Sequence, residues 1–490
     1  MTFVCNNLLS AKQNPDKVSE LIETELQKGY LLGPFSTPPF DVYRINPIGL
    51  VQGKYSKKYR LIVDLSAPHN NNEHPSLNSL IDKEEYSLSY VRLDDAIAKI
   101  REFGQFSTLC KLDVVDAFKN VPIEPNLWRY HGIKWIDKYY FYQKLSFGSR
   151  SSPKIFTLLS EAIHWILTNN YGVECLFYLL DDFLAITRPS SDGDRTMALL
   201  TLVFNRLRVP IHPTKTVGPV TSLEYLGVFI NSVDMKAYLP QEKLSRIISM
   251  IDAFRHKRKV TKRELLSLLG HMNFACRVIR PGRSFVSYLL SLASSVTELH
   301  HHVYINQACL RDMSMWYNFM SEWNGISFFY DVNVTLAADM QLYTDSSGTA
   351  FAGFYEGKWF AERWPAAMPK LGSKDMSIAY LELVPIVVSA LLWSHSWVGK
   401  RILFHVDNAA VVAIITKGRS RSAPIMNLMR RLTWCSIKNN FVLHAQYIPT
   451  KKNTVVDSLS RLKFQAFRRL VPSADAYPTK VPPMEQWVML

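Results

Sequence analysis

The sequence has few cysteines and no pattern that would pair them. Six cysteines are spread over 490 residues, and none stands in a C-x-x-C arrangement. This excludes a disulfide framework and argues against a zinc site built from thiolates. Residues 1–10 also lack the basic start and apolar run of a signal peptide. We therefore expect an intracellular protein, in the cytoplasm or the nucleus, that is not secreted.

Long hydrophobic runs are also scarce. The most apolar segment with a helical pattern, 381–393, contains Glu382 and is shorter than a membrane-spanning helix. We therefore expect no membrane span. Internal repeats and low-complexity tracts are absent, and the 48% hydrophobic and 12% aromatic content predicts a folded chain.

Acidic residues are fewer than basic ones. The chain has 57 Lys and Arg against 42 Asp and Glu, a formal charge of +15. A polyanion is the first partner that this charge suggests and an anionic membrane the second, while solubility alone is a third explanation. Between 240 and 283, eleven basic residues accompany three acids in a mostly helical pattern.

The length predicts about three domains. We expect an N-terminal lead at 1–40, a sheet-and-helix region at 41–235, a basic helical region at 236–335, an α/β domain with a mixed sheet at 338–465 and a loose tail at 466–490. In the α/β domain, a helix from about Ala379 to His395 tolerates Pro385 only if the proline lies in its first turn.

Carboxylates in apolar strands are the first sign of chemistry. Asp113 and the pair Asp181-Asp182 each lie within short runs of Leu, Val and Phe. Burying such groups is costly unless a cation compensates them, and two Mg²⁺ ions could then activate a 3′-hydroxyl and stabilise a leaving pyrophosphate. The pair Asp94-Asp95 is an internal comparison, because it lies on an amphipathic helix and is most simply a solvated face.

Between these acids, 145–156 reads L-S-F-G-S-R-S-S-P-K-I-F, a Gly/Ser loop that leads into an apolar helix. In this order and spacing the three segments resemble motifs A, B and C of reverse transcriptases. The strand 58–64 resembles the fingers strand of that family, 212–216 resembles motif D, and 225–228 resembles the primer-grip strand. One departure matters: Leu179 stands where the family has tyrosine in Y-x-D-D.

The resemblance implies a right-hand polymerase with fingers, palm and helical thumb. It implies that Asp113 and Asp181 bind metal, with Asp182 beside them, and that Phe118 excludes ribonucleotides. The residues that it implies for substrate binding are Arg60, Phe118, Phe147, Gly148 and Lys215.

Four further acids are spread over the last domain: Asp345, Glu382, Asp407 and Asp457. Each has an ordinary structural explanation, since Asp407 could cap a helix, Asp457 could form a capping box with Thr454, and Glu382 could favour a helix N-terminus.

Together, the four acids resemble those of ribonuclease H, which fall on the same elements in the same order. The resemblance implies that all four bind metal in an α/β domain that cuts the RNA of a hybrid. The segment 447–461 is similar to H-x-P-G-x-x-N-x-x-A-D-x-L-S-R, but Tyr447 replaces the histidine and Thr450 the glycine.

A polymerase followed by ribonuclease H is typical of retroelements, and 265–283 resembles the thumb of DIRS-type retrotransposons, which carry a tyrosine recombinase. The implied cofactor is Mg²⁺ or Mn²⁺, two ions at each site. The implied partners are an RNA template, a DNA primer, dNTPs and an RNA–DNA hybrid. Two alternatives remain open, a decayed or domesticated nucleic-acid-binding module and a polymerase with an inactive nuclease. The oligomeric state stays open as well.

Overall fold

The computed structural model describes residues 2–53, 58–69, 73–323, 327–328, 335–336, 342–366, 368 and 377–488. Its contacts divide the chain into two compact units, unit 1 (Met1–Leu223) and unit 2 (Glu224–Leu490). Unit 2 thus contains both the basic helical region and the last α/β domain, and the boundary that we expect near 338 lies outside the described residues.

Unit 1 is a mixture of short strands and amphipathic helices. In chain order they are β1 (Phe3–Val4), α1 (Leu9–Lys12), α2 (Pro15–Gln27), β2 (Leu31–Phe35), β3 (Arg44–Ile45), β4 (Ile48–Gln52), β5 (Tyr59–Val63), α3 (Leu93–Phe103), β6 (Thr108–Asp113), β7 (Gly132–Trp135), β8 (Lys138–Tyr142), α4 (Ser152–Trp165), β9 (Leu176–Leu179), β10 (Asp182–Thr187), α5 (Gly193–Arg206) and β11 (Val217–Val220).

Two sheets and a hairpin organise unit 1. One sheet has the strand order β1-β3-β7-β8-β2, the other has the order β11-β6-β10-β9, and β4 pairs with β5. The core forms because the apolar faces of α4 and α5 cover the second sheet, where the rings of Phe183 and Phe204 lie 5.0 Å apart. The acid-bearing ends of β6 and β10 are thereby fixed on a buried sheet.

Residues 1–40 are not a separate lead. Val18 and Ile22 of α2 are buried in the core of unit 1, and β2 pairs with β8. The apolar stripe on α2 is typical of an amphipathic helix, but it does not identify the sheet against which the stripe packs.

Unit 2 continues from β12 (Ser222–Tyr225), which crosses the boundary. It contains β13 (Val228–Asn231), β14 (Lys236–Tyr238), α6 (Gln241–Arg255), β15 (Lys259–Thr261), α7 (Lys262–Ala275), α8 (Ser287–Ala293), β16 (His302–Tyr304), α9 (Gln307–Trp323), β17 (Ser327–Phe328), β18 (Thr335–Leu336), β19 (Tyr343–Ser346), β20 (Ala350–Tyr355), β21 (Lys358–Arg363), α10 (Ile378–Trp393), β22 (Arg401–Val406), α11 (Ala409–Lys417), α12 (Ala423–Lys438), β23 (Val442–Tyr447), α13 (Thr454–Ser460) and α14 (Phe464–Leu470).

The last α/β domain has antiparallel strands β19-β20-β21 and parallel strands β18-β22-β23, with α10 and α12 packed on them. A buried ion pair joins this domain to the basic helical region, because Arg430 of α12 lies 2.7 Å from Asp312 of α9. This contact is one reason why the two regions form a single unit.

Helix α10 corrects two expectations. Pro385 is its eighth residue rather than part of its first turn. An interior proline costs about 3 kcal/mol, and the nearly complete burial of α10 offsets that cost.

With its last turn the helix spans Ile378–Ser396, 19 residues, which is long and apolar enough to cross a membrane. The expectation that it is too short is therefore wrong, but most of the helix is buried in the core, so it is weak support for a membrane span.

The segment 466–490 is not loose where the structure describes it. Phe467 of α14 is buried against Phe354 and Trp359, and Trp487 is buried against Phe351. The prolines of this segment predict an irregular chain, which is largely correct, but its aromatic side chains anchor it to the domain.

Candidate active sites

The first group of carboxylates lies where β6 ends and a tight turn joins β9 to β10. Asp113 is the last residue of β6, and the antiparallel register places Asp182 directly opposite it. Asp181 lies in the turn after Leu180, whose φ of 54° is a strained conformation for a leucine. The Ser160 hydroxyl donates to the Leu180 carbonyl at 2.9 Å and so holds the turn.

Two lysines compensate these acids. Lys215 Nζ lies 3.0 Å from Asp113 Oδ1, and Lys111 Nζ lies 3.3 Å from Asp182 Oδ1. Burial raises the pKa of Asp181, and the charges of Asp182 and Asp113 raise it further, while Lys215 lowers it. Three neighbouring carboxylates, of which Asp181 is half-buried and repelled by the other two, form a donor set of the kind that a divalent cation prefers.

Phe118 lies beside the loop that contains Phe147 and Gly148. The Phe118 ring is 4.9 Å from the Phe147 ring and 5.8 Å from the Phe156 ring, so it is fixed on two sides. Gly148 has a φ of 106°, and a Cβ there would collide with the Val63 carbonyl oxygen. Only glycine suits this position, because the loop approaches the β5 backbone closely.

Arg60 lies exposed on β5. Asn78, which the sequence reasoning missed, is buried and holds the loop that contains Gly148. Its Nδ2 donates to the Gly148 carbonyl at 2.8 Å, and its Oδ1 accepts from the Arg150 N–H at 2.8 Å. Nothing in the local sequence marks this asparagine, because its partners are about 70 residues away.

A second set of residues was missed around Asp116. Its φ is 48°, and its carboxylate accepts from Lys28 Nζ at 2.7 Å and from the Tyr30 hydroxyl at 3.1 Å. Lys119 is buried and pairs with Glu25 at 3.1 Å. The D-x-x-D spacing 113–116 was a usable signal for Asp116, whereas its partners were hidden by the assignment of 1–40 to a separate lead.

The pair Asp94-Asp95 differs from the site acids as expected. Asp95 accepts from the Arg92 N–H at 2.8 Å in a capping box at the start of α3, and Asp94 is exposed. Acidic pairs of similar sequence thus serve different roles, and the flanking strand distinguishes them.

In unit 2, three of the four predicted acids meet. Asp345 lies in β19, Glu382 in the second turn of α10, and Asp407 directly after β22. One ligand oxygen from each lies within 4.8 Å of the others. Asp345 and Glu382 are buried, because β19 and α10 belong to the core of the domain.

The electrostatics of this acidic triad favour a cation. Burial raises the pKa of Glu382 to about 8, and the charges of Asp345 and Asp407 add to the effect. Burial also raises the pKa of Asp345 to about 6, although the Ser460 hydroxyl donates to its Oδ2 at 2.6 Å. Oxygen donors that repel one another in a largely buried site are well suited to Mg²⁺ or Mn²⁺.

Asp457 lies near the triad, since its charge also raises the pKa of Asp345. It lies on α13, where its Oδ1 accepts from Arg461 Nε at 2.7 Å. The helix-capping explanation for Asp407 is wrong, because the cap of α11 is Asn408, whose side chain accepts from the N–H groups of Ala410 and Val411.

Asn453 and Ser460 are further residues that the sequence reasoning did not assign. Asn453 is buried and donates to the Thr344 carbonyl at 3.0 Å, which fixes β19 one residue before Asp345. Tyr447 ends β23 opposite Val406, the residue before Asp407, and is 53% exposed.

The segment 225–228 is a hairpin turn rather than a strand. Leu226 and Gly227, with φ of 48° and 84°, join β12 to β13. Arg277 donates to the Leu226 carbonyl at 3.1 Å, and Lys243 donates to the Gly227 carbonyl at 3.0 Å. Two residues of the basic stretch 243–283 therefore support this turn.

Comparison with known proteins gives two kinds of match. Residues 43–230 match the family described as "Reverse transcriptase (RNA-dependent DNA polymerase)". The foamy viral protease-reverse transcriptase dRH in complex with double-stranded DNA is 16% identical, with a TM-score of 0.50, over 91% of this chain and 71% of that chain. The foamy viral protease-reverse transcriptase in complex with an RNA/DNA hybrid is 14% identical, with a TM-score of 0.50, over 90% of this chain and 54% of that chain.

No curated protein matches the chain. At such low identities the solved structures show a shared fold and not a shared activity. The fold is thus a multidomain α/β arrangement like that of the foamy viral enzyme, and residues 43–230 match the reverse transcriptase family.

Proposed function

We propose that this chain copies RNA and DNA templates into DNA and that unit 2 cuts the RNA strand of an RNA–DNA hybrid. The observation that carries the polymerase is the register of β6 and β10, which sets Asp182 opposite Asp113 with Asp181 in the adjoining turn. The acidic triad of unit 2 supports the nuclease. The neighbouring solved structures hold double-stranded DNA and an RNA/DNA hybrid, which supports the same partners here.

For synthesis, Asp113, Asp181 and Asp182 would hold Mg²⁺ or Mn²⁺. A bound ion supplies charge that favours ionisation of the primer hydroxyl and departure of pyrophosphate. Phe118, fixed by its neighbouring rings, leaves no room for a 2′-hydroxyl on the incoming nucleotide. Arg60, exposed on β5, and Lys215 contribute positive charge toward the triphosphate of a dNTP.

For cutting, Asp345, Glu382, Asp407 and Asp457 would hold the same kind of ion. Such an ion would supply the charge that activates water for attack on the RNA phosphate. Ser460 and Asn453 orient Asp345 and its strand through the hydrogen bonds described above.

The proposed origin is a retrotransposon of the DIRS type. It rests on the resemblance of 265–283 to the thumb segment of that group and on the sequence motif of 447–461. The second candidate function is a decayed module that binds nucleic acid without chemistry, and Tyr447 and Leu179 are the observations that favour it. Seven intact acids at two sites favour the enzyme.

Primer extension tests the proposal directly. With poly(rA)·oligo(dT), dTTP and Mg²⁺, we expect extension that stops when the metal is chelated. Asp113→Asn should lower the rate by orders of magnitude, because it removes a ligand charge. Asp94→Asn is the matched control, since this exposed acid on α3 should leave the rate unchanged. A wild-type protein that binds the duplex but extends nothing in Mg²⁺ or Mn²⁺ would favour the binding module.

A further inference from the structure

Unit 2 contains a cavity of about 320 Å³ that is distant from its acidic triad. The first residues of β22 and β23 line it, together with the end of α11, one face of α12 and residues 283–284. The triad lies at the other end of β22, after Val406. Six residues of extended strand separate Arg401 from Asp407, which is about 20 Å at 3.3 Å per residue. The cavity is therefore separate from the nuclease site.

The lining of this cavity is basic. Arg283, Arg401, Lys417 and His444 all contribute to it, and no carboxylate belongs to the described lining. A lysine at the end of α11 alone would be explained by the helix dipole. Two arginines and a histidine from three other segments converge on the same space, which the dipole of α11 does not explain.

The rest of the lining is apolar or carries hydroxyl groups. Ile415 and Met429 are buried, and Thr433 donates to the Ser284 hydroxyl at 3.4 Å. Cavities that bind small molecules start at about 300 Å³, so this one accommodates one small ligand. Buried apolar residues next to basic side chains suit an anion that also has an organic part better than they suit an inorganic anion.

We propose that this basic cavity binds a nucleoside monophosphate, either free or as the phosphorylated end of a strand. The phosphoryl group lies among Arg283, Arg401 and Lys417, where arginines can bind its oxygens with two parallel hydrogen bonds. The nucleoside packs on the apolar floor near Met429. Such a site is separate from both proposed reactions, and it gives unit 2 a second place at which to hold a nucleotide.

Calorimetric titration of the full chain with 5′-AMP, adenosine and inorganic phosphate, in buffer with a chelator, tests the site. Lys417→Glu and Arg283→Ala each change an exposed residue of the cavity, so both variants should fold. Lys358→Glu is the matched control, because Lys358 is an exposed lysine of unit 2 at the start of β21, outside the cavity.

We expect AMP binding to weaken about tenfold or more in both cavity variants, as for the loss of a hydrogen bond to a charged group, and to stay unchanged in Lys358→Glu. Inorganic phosphate should compete weakly with AMP for the cavity, and adenosine should not compete. Equal AMP affinity in all proteins, no AMP binding by the wild type, or equal binding of adenosine and AMP would overturn the proposal.

A second titration distinguishes the two sources of the phosphate. A short DNA strand with a 5′-phosphate is compared with the same strand without it, in wild type and in Lys417→Glu. A Lys417-dependent gain from the 5′-phosphate assigns the cavity to strand ends. If Lys417→Glu weakens the binding of AMP but not the binding of the phosphorylated strand, the cavity binds free nucleotides. If Lys417→Glu weakens neither, the proposal is contradicted.

Discussion

The two groups of carboxylates are compensated in different ways. In unit 1, lysines lie within 3.0 Å of Asp113 and 3.3 Å of Asp182. In unit 2, Asp345 and Glu382 are buried beside Asp407, and burial with mutual repulsion raises their pKa values to about 6 and about 8. Two lysines of the protein itself therefore offset part of the charge of the first group, whereas the second group needs an added cation to ionise fully near neutral pH.

The largest expected effect is the loss of cutting in Asp345→Asn. Cutting should fall by orders of magnitude because the triad loses one charged ligand, while synthesis should remain at the wild-type rate. The measurement is release of fragments from a labelled RNA strand in a hybrid. Asp475→Asn, an exposed acid of the same unit, is the control and should cut normally. If Asp345→Asn cuts at the wild-type rate, the triad does not take part in the reaction.

A smaller effect is expected from Phe118→Val. The smaller side chain leaves room for a 2′-hydroxyl, so discrimination against ribonucleotides should fall by about 10- to 100-fold. The ratio of kcat/KM for dNTP and rNTP measures this, and dNTP incorporation should change comparatively little. Phe156 packs against the Phe118 ring, so Phe156→Leu is the control for altered packing alone. Equal ratios in Phe118→Val and wild type would assign the discrimination to another residue.

The comparison of the two sites also predicts how stability depends on pH without divalent metal. The folded pKa of Glu382 is about 8 against an ordinary value of 4.5, so the folded state holds an extra proton between these values. This contribution is complete below about pH 4.5 and is lost as the pH rises through about 8. We expect the Tm of unit 2 to fall over this range, by about 2–4 °C for each kcal/mol.

Glu382→Gln and Mg²⁺ sharpen this prediction. The variant should lose most of the pH dependence, and Mg²⁺ should raise the wild-type Tm more at pH 8 than at pH 5, because it binds the ionised carboxylates. Thermal unfolding with and without the metal measures both effects. A wild-type Tm that is independent of both pH and Mg²⁺ would contradict the account of the triad.

The smallest expected effect is a gain in Tyr447→His. An imidazole exchanges protons readily at neutral pH, whereas a tyrosine hydroxyl does not. Because Tyr447 is exposed beside Asp407, the imidazole should speed cutting a few-fold through faster product release. Steady-state cutting rates measure it, with Tyr477→His as an exposed control. An unchanged rate would contradict only the role proposed for Tyr447 and would not affect the role proposed for the triad.

Local patterns predict much of this fold. The helix expected from about Ala379 to His395 is α10 (Ile378–Trp393), because a long apolar segment without glycine is a local signal. Pro385 was misjudged because burial of α10 in the core overrides the local penalty. The membrane-span length of that helix was misjudged for a related reason, since a buried core helix is apolar on every face.

The site residues divide in the same way. Acids in apolar strands were recognised, and the structure brings Asp345, Glu382 and Asp407 together. The residues that hold them were not recognised, because Asn453 and Ser460 act on Asp345 and its strand from more than 100 positions away. Long-range hydrogen bonds of this kind leave no periodic pattern in a sequence.

The most direct test of the whole account follows both reactions on one molecule. A hybrid with a labelled RNA template and a labelled DNA primer is incubated with dNTPs and Mg²⁺, and both strands are separated by length over time. We predict that Asp113→Asn loses primer extension and keeps RNA cutting, and that Asp345→Asn keeps extension and loses cutting. A single variant that loses both reactions while it remains folded, or two variants that lose neither, would contradict two separate active sites.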